Sequence, residues 1–123
     1  SHNKKTPWFS EDIGGFNTRF DPELGWVTAP NHKVIDEDKK KYIRGGKTYT
    51  TNSFGFRSQE EVDNTKDHIL VVGDSVTWGS GVNNDETMPY YLNRKMNDYQ
   101  VLNLGVPAYG LGQEYLYLKN ILL

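Results

Sequence analysis

One segment of the chain places a glycine, an acid and a serine in an order that suits nucleophilic catalysis. Gly73-Asp74-Ser75 follows directly on the apolar run 69–72. In open α/β sheets, functional groups collect just beyond the carboxyl ends of the strands. A serine on a turn there would present its hydroxyl and its own backbone N–H to one crevice. Acyl transfer needs a nucleophile and an oxyanion donor, so Ser75 is a candidate for both roles.

A structural interpretation of the same residues stays open. Asp and Ser after Gly are also the residues that a helix N-cap prefers, and we expect Asp74 to brace the loop through backbone N–H groups. Other loop chemistries are excluded. A P-loop needs a glycine where Trp78 stands and a lysine after it, and the nucleophile elbow of α/β-hydrolases needs a glycine where Thr77 stands.

Two apolar runs predict adjacent parallel strands that would position this serine. Residues 69–72 and 101–104 each end at a glycine, as is typical of strands covered on both faces. Residues 85–96 have the start signals and spacing of an amphipathic helix, and a further helix is predicted from residue 111 to the end. The apolar face of that last helix comprises Leu111, Tyr115, Leu118 and Leu122. The pattern predicts a βαβ unit and an α/β fold.

The chain before this unit has a different character. We expect residues 1–67 to form an extension rich in loops and β-hairpins, and residues 68–123 to form the front part of an α/β domain. Residues 41–50 place β-rich sequence on either side of Gly45-Gly46, which suits a two-residue hairpin turn. Two parallel strands are too few for a sheet that needs cover on both faces, so we expect a longer chain or a second chain to complete it.

Composition excludes several kinds of function. Lys plus Arg is 14 and Asp plus Glu is 16 in 123 residues, a net charge of −2 that provides no basic patch for nucleic acid. The absence of cysteine removes disulfides, thiolate metal sites and a cysteine nucleophile, and no metal or cofactor is expected. No run approaches the roughly 18 apolar residues of a membrane span. The compartment stays open, with a secreted or periplasmic location slightly favoured.

Two blocks of this sequence resemble a known enzyme family. Residues 73–82 resemble the first block of the GDSL, or SGNH, esterases and acylhydrolases, and residues 103–110 with Gln113 resemble their second block. Three upstream stretches are similar to the leader of many bacterial members, namely residues 21–26, 30–31 and 52–57. The resemblance covers roughly residues 20–118.

The resemblance implies a flavodoxin-like, three-layer α/β/α parallel sheet that is incomplete in this chain. Ser75 would be the nucleophile, and the N–H groups of Ser75 and Gly105 would be oxyanion donors. Trp78 and Tyr109 would flank the substrate, with packing as the alternative role. The implied reaction hydrolyses or transfers an ester-linked acyl group on a carbohydrate or lipid through a covalent Ser75 intermediate, without metal or cofactor.

The same comparison shows what the sequence lacks. The family's Gly-x-Asn-Asp and Asp-x-x-His blocks do not occur. His68 precedes the first strand of the unit, about 16 Å from Ser75 at ~3.3 Å per residue, and we expect His32 to be a surface residue. Arg57 has no evident carboxylate partner. Without a base Ser75 is a weak nucleophile, so we expect this chain alone to be inactive or feeble.

Two other functions remain open at this point. One is a non-catalytic module of the same fold that binds a glycan or a partner protein in the crevice. The other is a fragment with no independent function, which exposes an apolar helix face at Leu118 and Leu122.

Overall fold

The chain folds as a mixture of helices and short strands. The structure, a computed structural model, describes residues 18–35 and 47–123. The strands in those ranges are β1 (Thr18–Asp21), β2 (Gly25–Thr28), β3 (Lys33–Ile35), β4 (Thr48–Thr50), β5 (Asp67–Gly73) and β6 (Tyr99–Gly105). The helices are α1 (Ser75–Trp78), α2 (Met88–Lys95) and α3 (Leu111–Leu122), with a 3-10 helix at Asn84–Glu86 before α2. The predicted α/β class is therefore confirmed.

The two apolar runs form the predicted parallel pair. β5 and β6 are in parallel register from Asp67 opposite Tyr99 to Gly73 opposite Gly105. α2 connects them and packs against β6. Thr87 caps the start of α2, where its hydroxyl accepts the Tyr90 N–H. Because the strands are parallel and in register, both carboxyl ends lie at the same edge of the sheet.

The two strands differ in burial. Every residue of β6 after Tyr99 is buried, whereas β5 has only partly exposed and exposed residues. The sequence predicted that both strands are covered on both faces, and the structure shows this for β6 alone. Within the described ranges β5 pairs only with β6, so its other edge has no strand against it. β6 likewise pairs only with β5 there, so its greater burial comes from α2, which packs against it.

Helix α3 lies where the sequence predicts a helix, but it buries a different face. Of the predicted apolar face, Leu111 is 83%, Tyr115 is 65% and Leu122 is 67% exposed. The buried residue of α3 is Tyr117, whose ring meets the ring of Tyr109 edge-on at 5.9 Å. The helix therefore turns Tyr117, with partly buried Leu116 and Leu118, toward the core, and of the predicted face only Leu118 packs there.

One apolar cluster joins the predicted extension to the predicted α/β part. Leu24 and Phe56 come from the first 67 residues, and they pack with residues of β6, the loop after it, and α3. The other members of this cluster are Leu102, Leu104, Val106, Tyr109 and Tyr117. The two parts therefore share one core.

The N-terminal part consists of short antiparallel pairs. β1 pairs with β2, and β3 pairs with β4 so that Val34 lies opposite Tyr49. The predicted Gly45-Gly46 turn lies outside the described residues, so the hairpin over 41–50 stays a prediction. None of the helices in the described ranges is long and apolar enough to cross a membrane.

Candidate active site

Ser75 lies at the carboxyl edge of the parallel pair. It is the first residue of α1, which starts two positions after the last residue of β5. Asp74 is the N-cap of this single turn, and its Oδ1 accepts the Val76 N–H at 2.9 Å. Ser75 is half-buried, while Val76 beside it is 83% exposed. The nucleophile candidate therefore stands on a capped turn at the surface, and Asp74 has the bracing contact that the sequence suggests.

Glycines at the two strand ends allow α1 to pack directly on the sheet. A Cβ on Gly73 would lie 2.1 Å from Oγ1 and 2.7 Å from Cβ of Thr77. A Cβ on Gly105 would lie 2.4 Å from the backbone nitrogen of Trp78 and 2.8 Å from the carbonyl carbon of Thr77. These separations are shorter than any van der Waals contact, so both positions require glycine while α1 is in place.

The N–H of Gly105 is already bonded. It donates to Oδ1 of Asn103 at 2.9 Å, and the same side chain donates from Nδ2 to the Thr77 carbonyl at 2.9 Å. The single amide hydrogen of Gly105, the predicted oxyanion donor, is therefore engaged by the Asn103 side chain in this structure. Sequence reasoning missed the role of Asn103, although one polar residue inside the run 101–104 was a signal for it.

A buried arginine holds the chain that follows α1. Arg57 is only 4% exposed, and all its hydrogen-bond partners in the described ranges are uncharged. Nε donates to Asn84 Oδ1 at 2.9 Å, Nη1 to the carbonyls of Trp78 at 2.7 Å and Gly79 at 2.6 Å, and Nη2 to those of Val82 at 2.6 Å and Thr48 at 3.3 Å. Carbonyl oxygens therefore take the place of the carboxylate that the sequence did not supply.

Two aromatic rings enclose this guanidinium. Its central carbon lies 4.6 Å from the ring centre of Tyr49 and 5.4 Å from that of Trp78, within cation–π range. Burial lowers the pKa of Arg57 to about 10, and Coulombic interactions with Tyr49 and Glu86 act in the opposite direction. The group still carries its charge at neutral pH, so it attracts the carbonyl dipoles that surround it.

Both aromatic candidates for substrate contact belong to the interior. Trp78 is 0% exposed and its ring stacks on Tyr49 with centres 6.4 Å apart. Tyr109 is 5% exposed, its hydroxyl donates to the Trp26 carbonyl, and burial raises its pKa above the ordinary value. Both rings therefore have the packing role that the sequence offered as the alternative to substrate contact.

The loop after β6 meets the same edge of the sheet. The Val106 N–H donates to the Gly73 carbonyl at 3.1 Å, which ties the loop to the end of β5. The indole N–H of Trp26 donates to the Pro107 carbonyl at 2.8 Å. Ala108, which follows Pro107, is exposed and has φ 65°, a left-handed conformation that costs an alanine about 1–2 kcal/mol. Such strain is common at functional edges, and an alanine carries no sequence signal for it.

Neither described histidine is bonded to Ser75. His68 is exposed near the start of β5, at the opposite end of the strand as predicted, with Nε2 2.8 Å from the Asp63 carbonyl oxygen. His32 is exposed, as expected, and its backbone N–H donates to Thr51 Oγ1. In residues 18–35 and 47–123 there is also no group of His, Asp and Glu side chains that could hold a metal ion. Neither described histidine is therefore placed to act as the general base of Ser75.

A cavity of about 120 Å³ lies near Arg57, between α2 and β6, but Ser75 does not line it. Its polar lining includes the side chains of Asn84 and Asn103, whose hydrogen bonds to Arg57, Thr77 and Gly105 are described above. The candidate nucleophile therefore lies at the edge of the sheet and outside this cavity.

Comparison of this chain with protein-family models and with curated proteins gives no match. No protein-family model matches it, and no curated protein matches it significantly. The similarity of residues 73–82 and 103–110 to the GDSL esterases is therefore a likeness of short motifs.

Proposed function

We propose that Ser75 is the nucleophile of a serine esterase or acyltransferase. The observation that supports this most is its placement, on a capped turn one residue beyond the carboxyl end of a parallel strand. The turn is held on the strand ends by glycines at 73 and 105 and by the side chains of Asn103 and Arg57. Rigid support of this kind is what a nucleophile needs in order to meet a substrate carbonyl in one geometry.

In the proposed reaction the Ser75 hydroxyl oxygen attacks the carbonyl carbon of an ester and loses its proton to a base. The tetrahedral oxyanion accepts a hydrogen bond from the Ser75 N–H. The intermediate then collapses and expels the alcohol, which takes the proton back from the base, and an acyl-serine remains. Water then regenerates the serine in a hydrolase, and a second alcohol does so in a transferase. The base is a group other than the described histidines, because neither of them is bonded to Ser75. The second oxyanion donor is a group other than the Gly105 N–H, because that N–H already donates to Asn103.

The substrate class and the larger fold belong to the same proposal. Short-motif likeness to the GDSL esterases favours an O-acyl group on a carbohydrate or lipid. It also favours a flavodoxin-like, three-layer sheet in which β5 and β6 are two of the strands. The partly exposed β5 supports this, because a further strand on its free edge would cover it.

Labelling with a fluorophosphonate tests the nucleophile. We expect slow modification at Ser75, detected by peptide mass spectrometry, because neither described histidine is placed to act as its base. Ser75→Ala should abolish this adduct, and Ser80→Ala, at the serine just after α1, should leave it unchanged. Half-buried Ser58, whose Oγ accepts the Glu60 N–H and contacts no carboxylate in the described residues, serves as the internal measure of unactivated hydroxyls. Labelling of Ser75 no faster than labelling of Ser58 would refute the proposal.

A non-catalytic binding module is the second candidate, and the lack of a described histidine beside Ser75 favours it. It predicts that Ser75→Ala leaves the affinity for an acetylated oligosaccharide within about 1 kcal/mol, the scale of one neutral hydrogen bond. Isothermal titration with acetylated and deacetylated forms of one oligosaccharide measures this. Binding of the acetylated form, unchanged by Ser75→Ala and without a phosphonate adduct, would favour the module over the enzyme.

A further inference from the structure

The turn that carries Ser75 has little internal support. α1 is a single turn, closed by the Trp78 N–H to the Asp74 carbonyl and the Gly79 N–H to the Ser75 carbonyl, both at 2.9 Å, with the Ser80 N–H also on the Ser75 carbonyl at 3.0 Å. An isolated turn of this length is unstable, because nucleation of a helix costs more than one or two hydrogen bonds return. The position of Ser75 therefore depends on what holds the turn from outside.

Side chains from two other elements take the last carbonyls of this turn. Asn103 on β6 donates to the Thr77 carbonyl, and Arg57 donates to the carbonyls of Trp78 and Gly79. Arg57 contributes the larger share, since it is cationic and reaches two successive carbonyls with one nitrogen. Hydrogen bonds to a charged group are stronger than neutral ones, at roughly 1.5–3 against about 1 kcal/mol.

The guanidinium has no hydrogen left for a substrate. A guanidinium has five N–H groups, and Arg57 faces five acceptors, on the end of α1, on the chain after it and on β4. A Cβ on Gly79, which has φ 91°, would lie 2.6 Å from Nη1. The absence of a side chain at Gly79 therefore leaves the space that the guanidinium occupies beside the turn. An anionic ligand would have to displace several of these bonds, which makes a substrate-binding role for Arg57 unfavourable.

We infer that Arg57 is a positioning residue, which clamps the end of α1 and thereby sets where Ser75 stands. Its catalytic consequence rests on the function proposed above. Arg57 lies in the predicted extension, and an isolated bridge between Thr51 and Arg57 holds its backbone. The segment before the βα unit therefore contacts the turn that carries the nucleophile through the side chain of Arg57. The packing of the two parts in one core thus has a role in the site.

Arg57→Lys tests the clamp, with Arg94→Lys as the matched control. Lysine keeps the charge, but its single ammonium group cannot donate to all five of these acceptors at once. Arg94 is an exposed arginine, also near a ring, at 5.9 Å from the centre of Tyr90. Amide hydrogen exchange of residues 78–80 is compared with that of buried residues 102–104 in β6. We expect R57K to accelerate exchange at 78–80 at least about tenfold, with residues 102–104 unchanged, and R94K to change neither.

Two exchange results would overturn the clamp. One is unchanged protection at 78–80 in R57K, and the other is equal acceleration at 78–80 and 102–104, which would mean global loss of stability. If R57K does not fold, Asn84→Ala replaces it, because this variant removes the Nε acceptor, together with the two bonds from Asn84 to Thr50, and keeps the four carbonyl bonds of Arg57. We expect N84A to accelerate exchange at 78–80 by about fivefold, the equivalent of one hydrogen bond, and no acceleration would overturn the inference.

Phosphonate labelling separates positioning from stability. The rate at Ser75 is measured per folded molecule, well below the unfolding temperature of each variant. We expect R57K to slow it at least about tenfold and R94K to leave it unchanged. An equal rate in R57K would overturn the positioning role even if the variant were less stable. If the unmodified chain gives no Ser75 adduct, the proposed function fails, and the exchange measurement still decides whether Arg57 clamps the turn.

Discussion

Replacement of Gly105 by alanine is the sharpest test of how α1 sits on the sheet. The new methyl group would lie 2.4 Å from the Trp78 backbone nitrogen and 2.8 Å from the Thr77 carbonyl carbon. Backbone atoms cannot rotate away as a flexible side chain can. The turn must therefore move by about 1 Å to reach ordinary contact distance, given carbon contacts near 3.5–4.0 Å.

Two costs follow from that movement. Overpacking of a buried site costs about 1–3 kcal/mol, and often more where backbone is displaced. The bonds from Asn103 to the Gly105 N–H and the Thr77 carbonyl would also lengthen, at about 1 kcal/mol for each bond lost. We therefore expect Gly105→Ala to lower the free energy of unfolding by about 3 kcal/mol or more.

Gly112→Ala is the matched control, since it makes the same chemical change where there is space. A Cβ at Gly112 meets no atom within 4 Å, and the residue lies in the first turn of α3. Alanine in a helix is more stable than glycine by roughly 0.5–1 kcal/mol. Urea unfolding followed by tryptophan fluorescence measures both variants. A Gly105→Ala protein within about 0.5 kcal/mol of the unmodified chain would refute the close approach of α1 to the strand ends.

Two further predictions concern the core around the β6–α3 loop. Burial raises the pKa of Tyr117 to about 12, so the folded chain keeps this proton where the unfolded chain, with a tyrosine pKa near 10, has lost it. The free energy of unfolding should therefore fall as pH rises from about 10 to 12, and Tyr117→Phe should flatten that fall by up to about 1.4 kcal/mol per pH unit, measured by urea titrations. Tyr115→Phe, at an exposed tyrosine, is the control, and equal slopes in the two variants would contradict the assignment. Trp26→Phe removes the indole N–H bond to the Pro107 carbonyl and should destabilise the chain by about 0.5–1.5 kcal/mol, with no change in thermal unfolding as the opposing result.

Local sequence patterns predicted the elements of the βα unit well. The runs 69–72 and 101–104 became β5 and β6, in register from their first residues to their terminal glycines. The helix predicted over 85–96 is α2, shortened at its start by a 3-10 turn and the Thr87 cap. Strand runs, caps and terminal glycines depend on neighbours within a few residues, so a single sequence carries them.

Side-chain roles at the site could not be read in the same way. The sequence suggested that Trp78 and Tyr109 face a substrate, and both are core residues. Gly105 was expected to offer its N–H to an oxyanion. The structure requires a glycine there for another reason, because a Cβ would collide with the backbone of α1. In each of these cases the deciding partner is far away in the chain, such as Trp26 for Tyr109 or Tyr49 for Trp78.

What the sequence alone determined is the order of elements, the α/β class, and the position of Ser75 just beyond a strand. Only the tertiary structure decided which face of α3 is buried, where Arg57 donates its hydrogen bonds, and how closely α1 approaches Gly105. The physical reason is distance along the chain. Backbone preferences act between adjacent residues, whereas a buried cation, a close-packed glycine and an aromatic pair take their partners from segments that meet only after folding.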